Sequence, residues 1–224
     1  MNTLWTFGDS FTQSYIPPID RGRNWRNDYI EWKGYHTKVY PEFIAEKLNL
    51  NLINKGVGGC DNSYIFEEFC KVASQIQKND IVIFGWTDVH RFRLFNKENK
   101  VGFFNANALD KDGGAIFSQE FINTFDFLSI QTIDEMIINR DSKMFINELC
   151  NWVNLINLFL KDINVIHWSW DRNNSICKNI TISTRYERIF DETKGSIIDY
   201  HWSENGQKMF SEHLIKKINK DNLI

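Results

Sequence analysis

Leu4-Trp5-Thr6-Phe7-Gly8-Asp9-Ser10-Phe11-Thr12 opens the chain with a short apolar run of strand formers that stops at Gly-Asp-Ser. This is the pattern of a strand delivering a polar residue to the edge of a sheet. Ser10 then stands at the strand's carboxyl end, where open α/β sheets place their ligands. A serine there serves as a nucleophile only if a base reaches it. Working outward, the stretch that offers a base is Asp199-Tyr200-His201-Trp202-Ser203-Glu204-Asn205-Gly206, close to the other terminus. The nucleophile therefore comes first in the chain, and the acid and base come last.

With 224 residues, 42% of them hydrophobic, the chain is long enough to bury a full core and is expected to form one domain over 1–224. A net charge of -3 and a pI near 6.0 do not supply the clustered basic face that a nucleic-acid partner requires. No apolar run approaches the length that spans a bilayer. The first strand begins almost at Met1, so removing a secretory leader of ~15 to 30 residues would take Ser10 with it. The expectation is a cytoplasmic protein with neither signal peptide nor membrane span. Cys60, Cys70, Cys150 and Cys177 show no C-x-x-C spacing, and reduced thiols are expected.

Along the chain, Gln13 to Tyr40 is a long irregular stretch containing Pro17-Pro18, Gly22 and Gly34 together with Tyr15, Trp25, Tyr29, Trp32, Tyr35 and His36. Its aromatic content argues for a folded insertion beside Ser10 that walls a substrate site. Arg21, Arg23 and Arg26 either meet an anionic or sugar substrate there or belong to an ordinary solvated face balanced by Asp20, Asp28 and Glu31. Pro41 to Leu50 reads as a helix and Leu50 to Ile53 as the second strand. The turn Asn54-Lys55-Gly56-Val57-Gly58-Gly59-Cys60-Asp61-Asn62 leads into a helix from about Ser63 to Gln77. Backbone amides at such a turn favour negative charge, as a tetrahedral oxyanion requires; glycine there also serves any tight turn.

Asp80 to Trp86 is a nearly continuous apolar run, the third strand of a sheet buried on both faces. It ends in Gly85-Trp86-Thr87-Asp88-Val89-His90-Arg91. Val101 to Phe125, with Asp112-Gly113-Gly114, reads as a hairpin or a second irregular insertion. Phe145, Leu149, Trp152, Ile156 and Phe159 recur at helical intervals between Ser142 and Lys161. Asn164 to Trp170 is a further strand in which His167 is a core or rim residue, and Ile180 to Asp191 is ambiguous between strand and loop. Ser203 caps a final helix with Phe210, Leu214 and Ile218 on its apolar face. Asp199 and His201, two apart in extended backbone, point to the same side. Asp199 is then placed to orient His201, whose other ring nitrogen faces Ser10.

These blocks resemble the SGNH hydrolases, also called the GDSL esterase and lipase family. The resemblance is carried by Gly8-Asp9-Ser10-Phe11-Thr12, the glycine turn after Asn54, Gly85-Trp86-Thr87-Asp88 and Asp199-Tyr200-His201. It implies a three-layer, flavodoxin-like α/β fold with a central parallel sheet, here with an aromatic-rich insertion after the first strand. It further implies a serine esterase that forms an acyl-enzyme without a cofactor or metal. Counting five positions from Asn54, as the family does, selects Gly59 for the oxyanion hole beside the Ser10 amide. The family's third block carries an Asn where this chain has Thr87, a shorter donor. Its final Asp and His are three residues apart, against two here. Asp9, Trp25, Trp32, Trp86 and Asp88 are the expected substrate contacts, and the substrate is a small-molecule ester, with an acetyl ester on a carbohydrate as one form.

Three other readings stand beside this one. An acyl transferase would pass the acyl group to a sugar hydroxyl. A metal-dependent hydrolase would use Asp88 with His90, or Asp199 with His201. A non-catalytic binding domain would keep the fold with a degenerate oxyanion hole.

Overall fold

The computed structural model describes residues 2–14, 30–31, 34–35, 37–95, 101–104, 142–183, 186, 188 and 201–220. Trp25 and Trp32, the Asp112-Gly113-Gly114 turn, Ile197-Ile198 and Asp199 lie outside the described residues. Seven strands are present among them: β1 (Thr3–Gly8), β2 (Asn51–Gly56), β3 (Ile81–Trp86), β4 (Phe92–Phe95), β5 (Val101–Phe104), β6 (Asn164–Ser169) and β7 (Ile180–Ile182). The helices are α1 (Tyr40–Leu48), α2 (Asn62–Val72), α3 (Ser142–Phe159) and α4 (Glu204–Lys220).

β2, β1, β3, β6 and β7 form, in that order, a five-stranded sheet in which every neighbouring pair is parallel. β4 and β5 make a separate antiparallel pair. The order dictates where the helices go. The connection from β1 to β2 runs one way across the sheet, and those from β2 to β3 and β3 to β6 run the other. Right-handed crossovers therefore put α1 on one face and α2 and α3 on the opposite face. The two cores agree: Ile65, Phe69, Leu149, Val153 and Ile156 pack on Phe7, Val82 and Phe84, whereas Tyr40, Ile44, Phe210 and Leu214 pack on Leu4, Ile81, Ile83 and Ile166. α4 thus shares the face of α1, completing a three-layer α/β arrangement.

Local chemistry explains the helix ends. Pro41 lies in the first turn of α1, where its missing N–H costs nothing, and Glu42 accepts from the Val39 amide at 2.8 Å. Asp61 caps α2 by accepting from the Tyr64 amide at 2.8 Å. Ser203 caps α4, its hydroxyl oxygen accepting from the Gly206 amide at 3.0 Å. Asp80, buried before β3, accepts from the Thr3 amide, the Trp5 indole and the Gln77 amide, each at 2.9 Å, and so fixes where β1 starts relative to β3.

Several expectations are corrected. Of the apolar residues expected to pack from α3, Leu149 and Ile156 are buried and Phe145 and Trp152 pack partly buried against the core, whereas Phe159 is 62% exposed; Ile146 and Val153, with Leu160 just past the helix, complete the buried side. Cys150 of α3 and Cys177 are joined in a disulfide with Cα atoms 5.3 Å apart, against the expectation of reduced thiols throughout. Their pairing follows from the packing of α3 against the short 3-10 turn Arg172–Ile176, which spacing alone does not disclose. Cys60 and Cys70 are free. Among the described residues no helix is long and apolar enough to cross a membrane.

One feature of the register prepares the site. Gly8 of β1 stands opposite Gly56 of β2 and Gly85 of β3, so three neighbouring strands carry a row without side chains at or next to their carboxyl ends. The chain leaving β1 crosses this row. A Cβ on Gly56 would lie 2.5 Å from the Gln13 amide nitrogen, and one on Gly8 would lie 2.2 Å from the Thr12 hydroxyl. The crossing lies where connections from β1 and β3 depart to opposite faces, the topological switch point of a doubly wound sheet.

Candidate active site

Ser10 sits in the turn that crosses the glycine row. The Asp9 carbonyl accepts from the amides of Thr12 at 2.9 Å and Gln13 at 3.0 Å, which closes the turn around Ser10. Asn54 of β2 clamps its far side, donating to the Thr12 carbonyl at 2.6 Å and to the Ser14 hydroxyl at 2.8 Å. From the other face, buried Gln207 of α4 accepts from the Tyr40 amide at 2.9 Å and reaches the Phe11 carbonyl at 3.5 Å. The serine turn is thus tied to β2, α1 and α4 together.

His201 precedes the cap of α4. Its Nε2 lies 2.6 Å from Ser10 Oγ, across 191 residues of sequence. The imidazole lies against Phe11, with ring centres 4.9 Å apart, and the next residue, Trp202, is buried among Phe11, Trp168 and Phe210. Neighbours on both sides of the contact are therefore held by packing. The distance is within the reach that proton transfer between nucleophile and base demands. Asp199, the expected partner of His201, lies outside the described residues.

The glycine turn after β2 lies beside the serine: a Cβ on Gly58 would be 3.7 Å from Ser10 Cβ. Its amides are mostly engaged. Val57 donates to the Gly8 carbonyl at 2.8 Å, Gly58 to Gln13 Oε1 at 3.0 Å and Cys60 to the Val57 carbonyl at 3.3 Å. Gly59 differs. Its amide has no acceptor among the described residues, its φ of 76° is one that glycine adopts without strain, and the space beside its Cα is open.

Thr87, expected in the oxyanion hole, is used otherwise. It is fully buried, and its hydroxyl donates to Asp9 Oδ2 at 2.8 Å. Its backbone is gripped by Asn62, which accepts from the Thr87 amide at 2.8 Å and donates to the Thr87 carbonyl at 3.1 Å. Asn174 donates to the same carbonyl at 2.9 Å. The residue pins the end of β3 and offers no donor to a ligand.

Two expected substrate contacts, Asp9 and Trp86, are corrected as well. Asp9, 1% exposed, receives the Phe11 amide at 3.1 Å on Oδ1; Oδ2 receives the Thr87 hydroxyl at 2.8 Å, the Trp170 indole at 3.0 Å and Arg91 Nη1 at 3.2 Å. A carboxylate so filled organises the floor of the site and faces no ligand. Trp86 is fully buried and donates its indole N–H to His167 Nδ1 at 3.1 Å. Asp88 is buried and accepts from the His90 amide at 2.8 Å, a turn contact within the segment. Arg91, Trp170, Asn62 and Gln207 are site residues that sequence reasoning does not single out. For Arg91 a signal existed: it follows a strand that ends at the switch point.

Burial shifts several groups nearby. His167, an expected core histidine, is held neutral with a pKa lowered to about 3, mainly by desolvation. Because Trp86 donates to Nδ1, its proton resides on Nε2, which donates to Asn157 Oδ1 at 3.2 Å. Burial raises the Cys60 thiol well above its ordinary range, so it stands protonated behind Gly59, and burial likewise raises the Tyr40 phenol. Desolvation also raises Asp171. Among the described residues no group of three or more His, Cys, Asp or Glu side chains is disposed to hold a metal ion.

Fold and site together define a doubly wound α/β domain with a serine and an imidazole in hydrogen-bond contact at its switch point. No family model matches the chain, and no curated protein matches it. Among solved structures it is similar to the crystal structure of a member of the lipolytic protein G-D-S-L family from Veillonella parvula DSM 2008, at 11% identity and a TM-score of 0.44 over 98% of this chain and 99% of that one. It is also similar to a structure described as a lipolytic protein of the G-D-S-L family from Desulfitobacterium hafniense DCB-2, at 14% identity and a TM-score of 0.36 over 96% of this chain and 99% of that one. Both names are those of the family that the sequence blocks resemble.

Proposed function

We propose that the protein is a serine esterase acting on a carboxylic ester through an acyl-enzyme. The observation that carries this reading is the 2.6 Å contact between His201 Nε2 and Ser10 Oγ. In the reacting tautomer Ser10 donates this hydrogen bond and His201 carries its ring proton on Nδ1, the role of orienting that imidazole falling in this proposal to Asp199. Ser10 Oγ attacks the ester carbonyl as its proton passes to Nε2. The resulting oxyanion is received by the Gly59 amide, free in the described structure, together with the Ser10 amide. Collapse expels the alcohol, which takes the proton back from Nε2, and leaves an acyl-serine. Water then gives a proton to Nε2 as it attacks the acyl carbon, and the acid departs as Ser10 regains its hydrogen.

Hydrolysis of a small activated acetyl ester, followed with the wild-type protein and Ser10→Ala, tests this. Turnover should fall by ~10^4-fold or more in the variant, and a serine-directed phosphonate should label the wild type alone. Wild-type protein that neither turns over the ester nor takes up the phosphonate overturns the reading. Survival of activity in excess chelator separates it from metal-dependent hydrolysis. A panel of short-chain esters, long-chain esters and acetylated sugars, with and without an acceptor sugar, assigns the acyl group and distinguishes hydrolysis from transfer.

A further inference from the structure

Arg91 is a cation at this site for which ester hydrolysis as described has no use. Its Nη1 donates to Asp9 Oδ2 at 3.2 Å and reaches the Cys60 carbonyl at 3.5 Å. The guanidinium carbon lies 5.6 Å from the centre of the Trp170 ring. Asp9 adjoins Ser10 and Cys60 adjoins Gly59, so the cation is held between the neighbours of the serine and of the free amide.

What the guanidinium leaves unengaged is informative. Nε and Nη2 have no acceptor among the described residues. The side chain is 13% exposed. Two donors without an acceptor among the described residues, on a side chain that is partly exposed, are available to a ligand. Nε and Nη2 form one edge of the guanidinium plane, and that edge matches the two oxygens of a carboxylate. Asp9 engages Nη1 alone and so leaves the Nε and Nη2 edge geometrically available to a second anion.

We propose that Arg91 forms an anion subsite beside Ser10, and that the ester processed here carries a carboxylate, received by the Nε and Nη2 edge, in the same molecule as the reacting carbonyl. This rests on the esterase reading for its reaction but not for its binding, which allows the two to fail separately.

Monoethyl succinate and ethyl butyrate match in acyl length and differ in the terminal carboxylate. In a pH-stat assay the wild type should favour the succinate in kcat/KM by about tenfold or more, the value of a paired charge-assisted contact. In Arg91→Lys, which keeps a cation opposite Asp9 but loses the planar edge, that ratio should fall toward one. Binding is read independently by titrating Ser10→Ala, and Ser10→Ala with Arg91→Lys, with the non-ester succinamate while following tryptophan fluorescence, since Trp170 stacks on the guanidinium. Succinamate should bind the first protein about tenfold or more tightly than the second.

A wild-type ratio near one overturns the proposal whether or not the lysine variant folds, and so does equal succinamate binding by the two proteins. Inorganic phosphate binding more tightly than succinamate overturns the assignment to a carboxylate. Arg91-dependent binding of succinamate without hydrolysis of either ester supports the subsite and removes the esterase. Hydrolysis of both esters at equal kcat/KM does the reverse.

Discussion

Gly56→Ala tests whether the glycine row positions the nucleophile. The new methyl would stand 2.5 Å from the Gln13 nitrogen, 2.7 Å from the Thr12 carbonyl carbon and 2.8 Å from Gln13 Cα, where ordinary contact begins near 3.4 Å. All three atoms are backbone, so no side chain can turn aside, and a shift of ~1 Å is required to relieve the overlap. β2 is an edge strand and has room to retreat, but Asn54 holds the Thr12 carbonyl at 2.6 Å and the Ser14 hydroxyl at 2.8 Å. Retreat of β2 would therefore drag the turn with it. Either movement displaces Ser10 from a contact of 2.6 Å with His201. A misplacement of ~1 Å costs about 10^2-fold in rate, or ~2.7 kcal/mol of barrier, while overpacking lowers stability by about 1–3 kcal/mol. The assay is kcat on an activated acetyl ester at a temperature where circular dichroism shows the variant folded. A folded Gly56→Ala protein with kcat within about twofold of wild type would refute the claim that the row sets the position of Ser10.

Other consequences concern stability. His167 has a folded pKa of about 3 against an ordinary 6.5, so between those values the unfolded chain binds more protons than the folded one. Its contribution is complete above pH 6.5 and is lost as pH falls toward 3. Between pH 7 and pH 5 this amounts to ~2 kcal/mol, visible in urea unfolding as an acid sensitivity of the wild type that His167→Gln lacks; equal pH dependence in both proteins counts against it. The disulfide closes a sequence separation of 27 residues. A reductant should therefore lower unfolding free energy by about 3.5 kcal/mol in the wild type and leave Cys150→Ser unchanged, as read by urea titration with and without the reductant.

Much of this architecture was legible because it is written locally. β1 announces itself by a run of strand formers ending at Gly8, and β3 by a run buried on both faces. Ser203 caps the helix it precedes, and periodicity locates α3 and α4 within a few residues. Ser10 and His201 were legible as a candidate pair because each sits at the end of such an element. Reading missed Ile146 and Val153 on the buried side of α3 and counted Phe159, which stands exposed. It also failed where a residue's partner is remote.

By itself the sequence determined the order of β1, β2, β3 and β6 and of the helices around them, the Ser203 cap, and the two chain ends that would have to meet. These follow from periods of two and 3.6 residues and from side chains bonding to backbone a few positions away. Tertiary structure decided the alignment of Gly8 with Gly56 and Gly85, the diversion of Asp9 and Thr87 into the floor of the site, and the joining of Cys150 to Cys177. It also put Arg91 over Trp170. Each of these depends on register between strands or packing between helices, and a shift of one residue in either would reassign every partner.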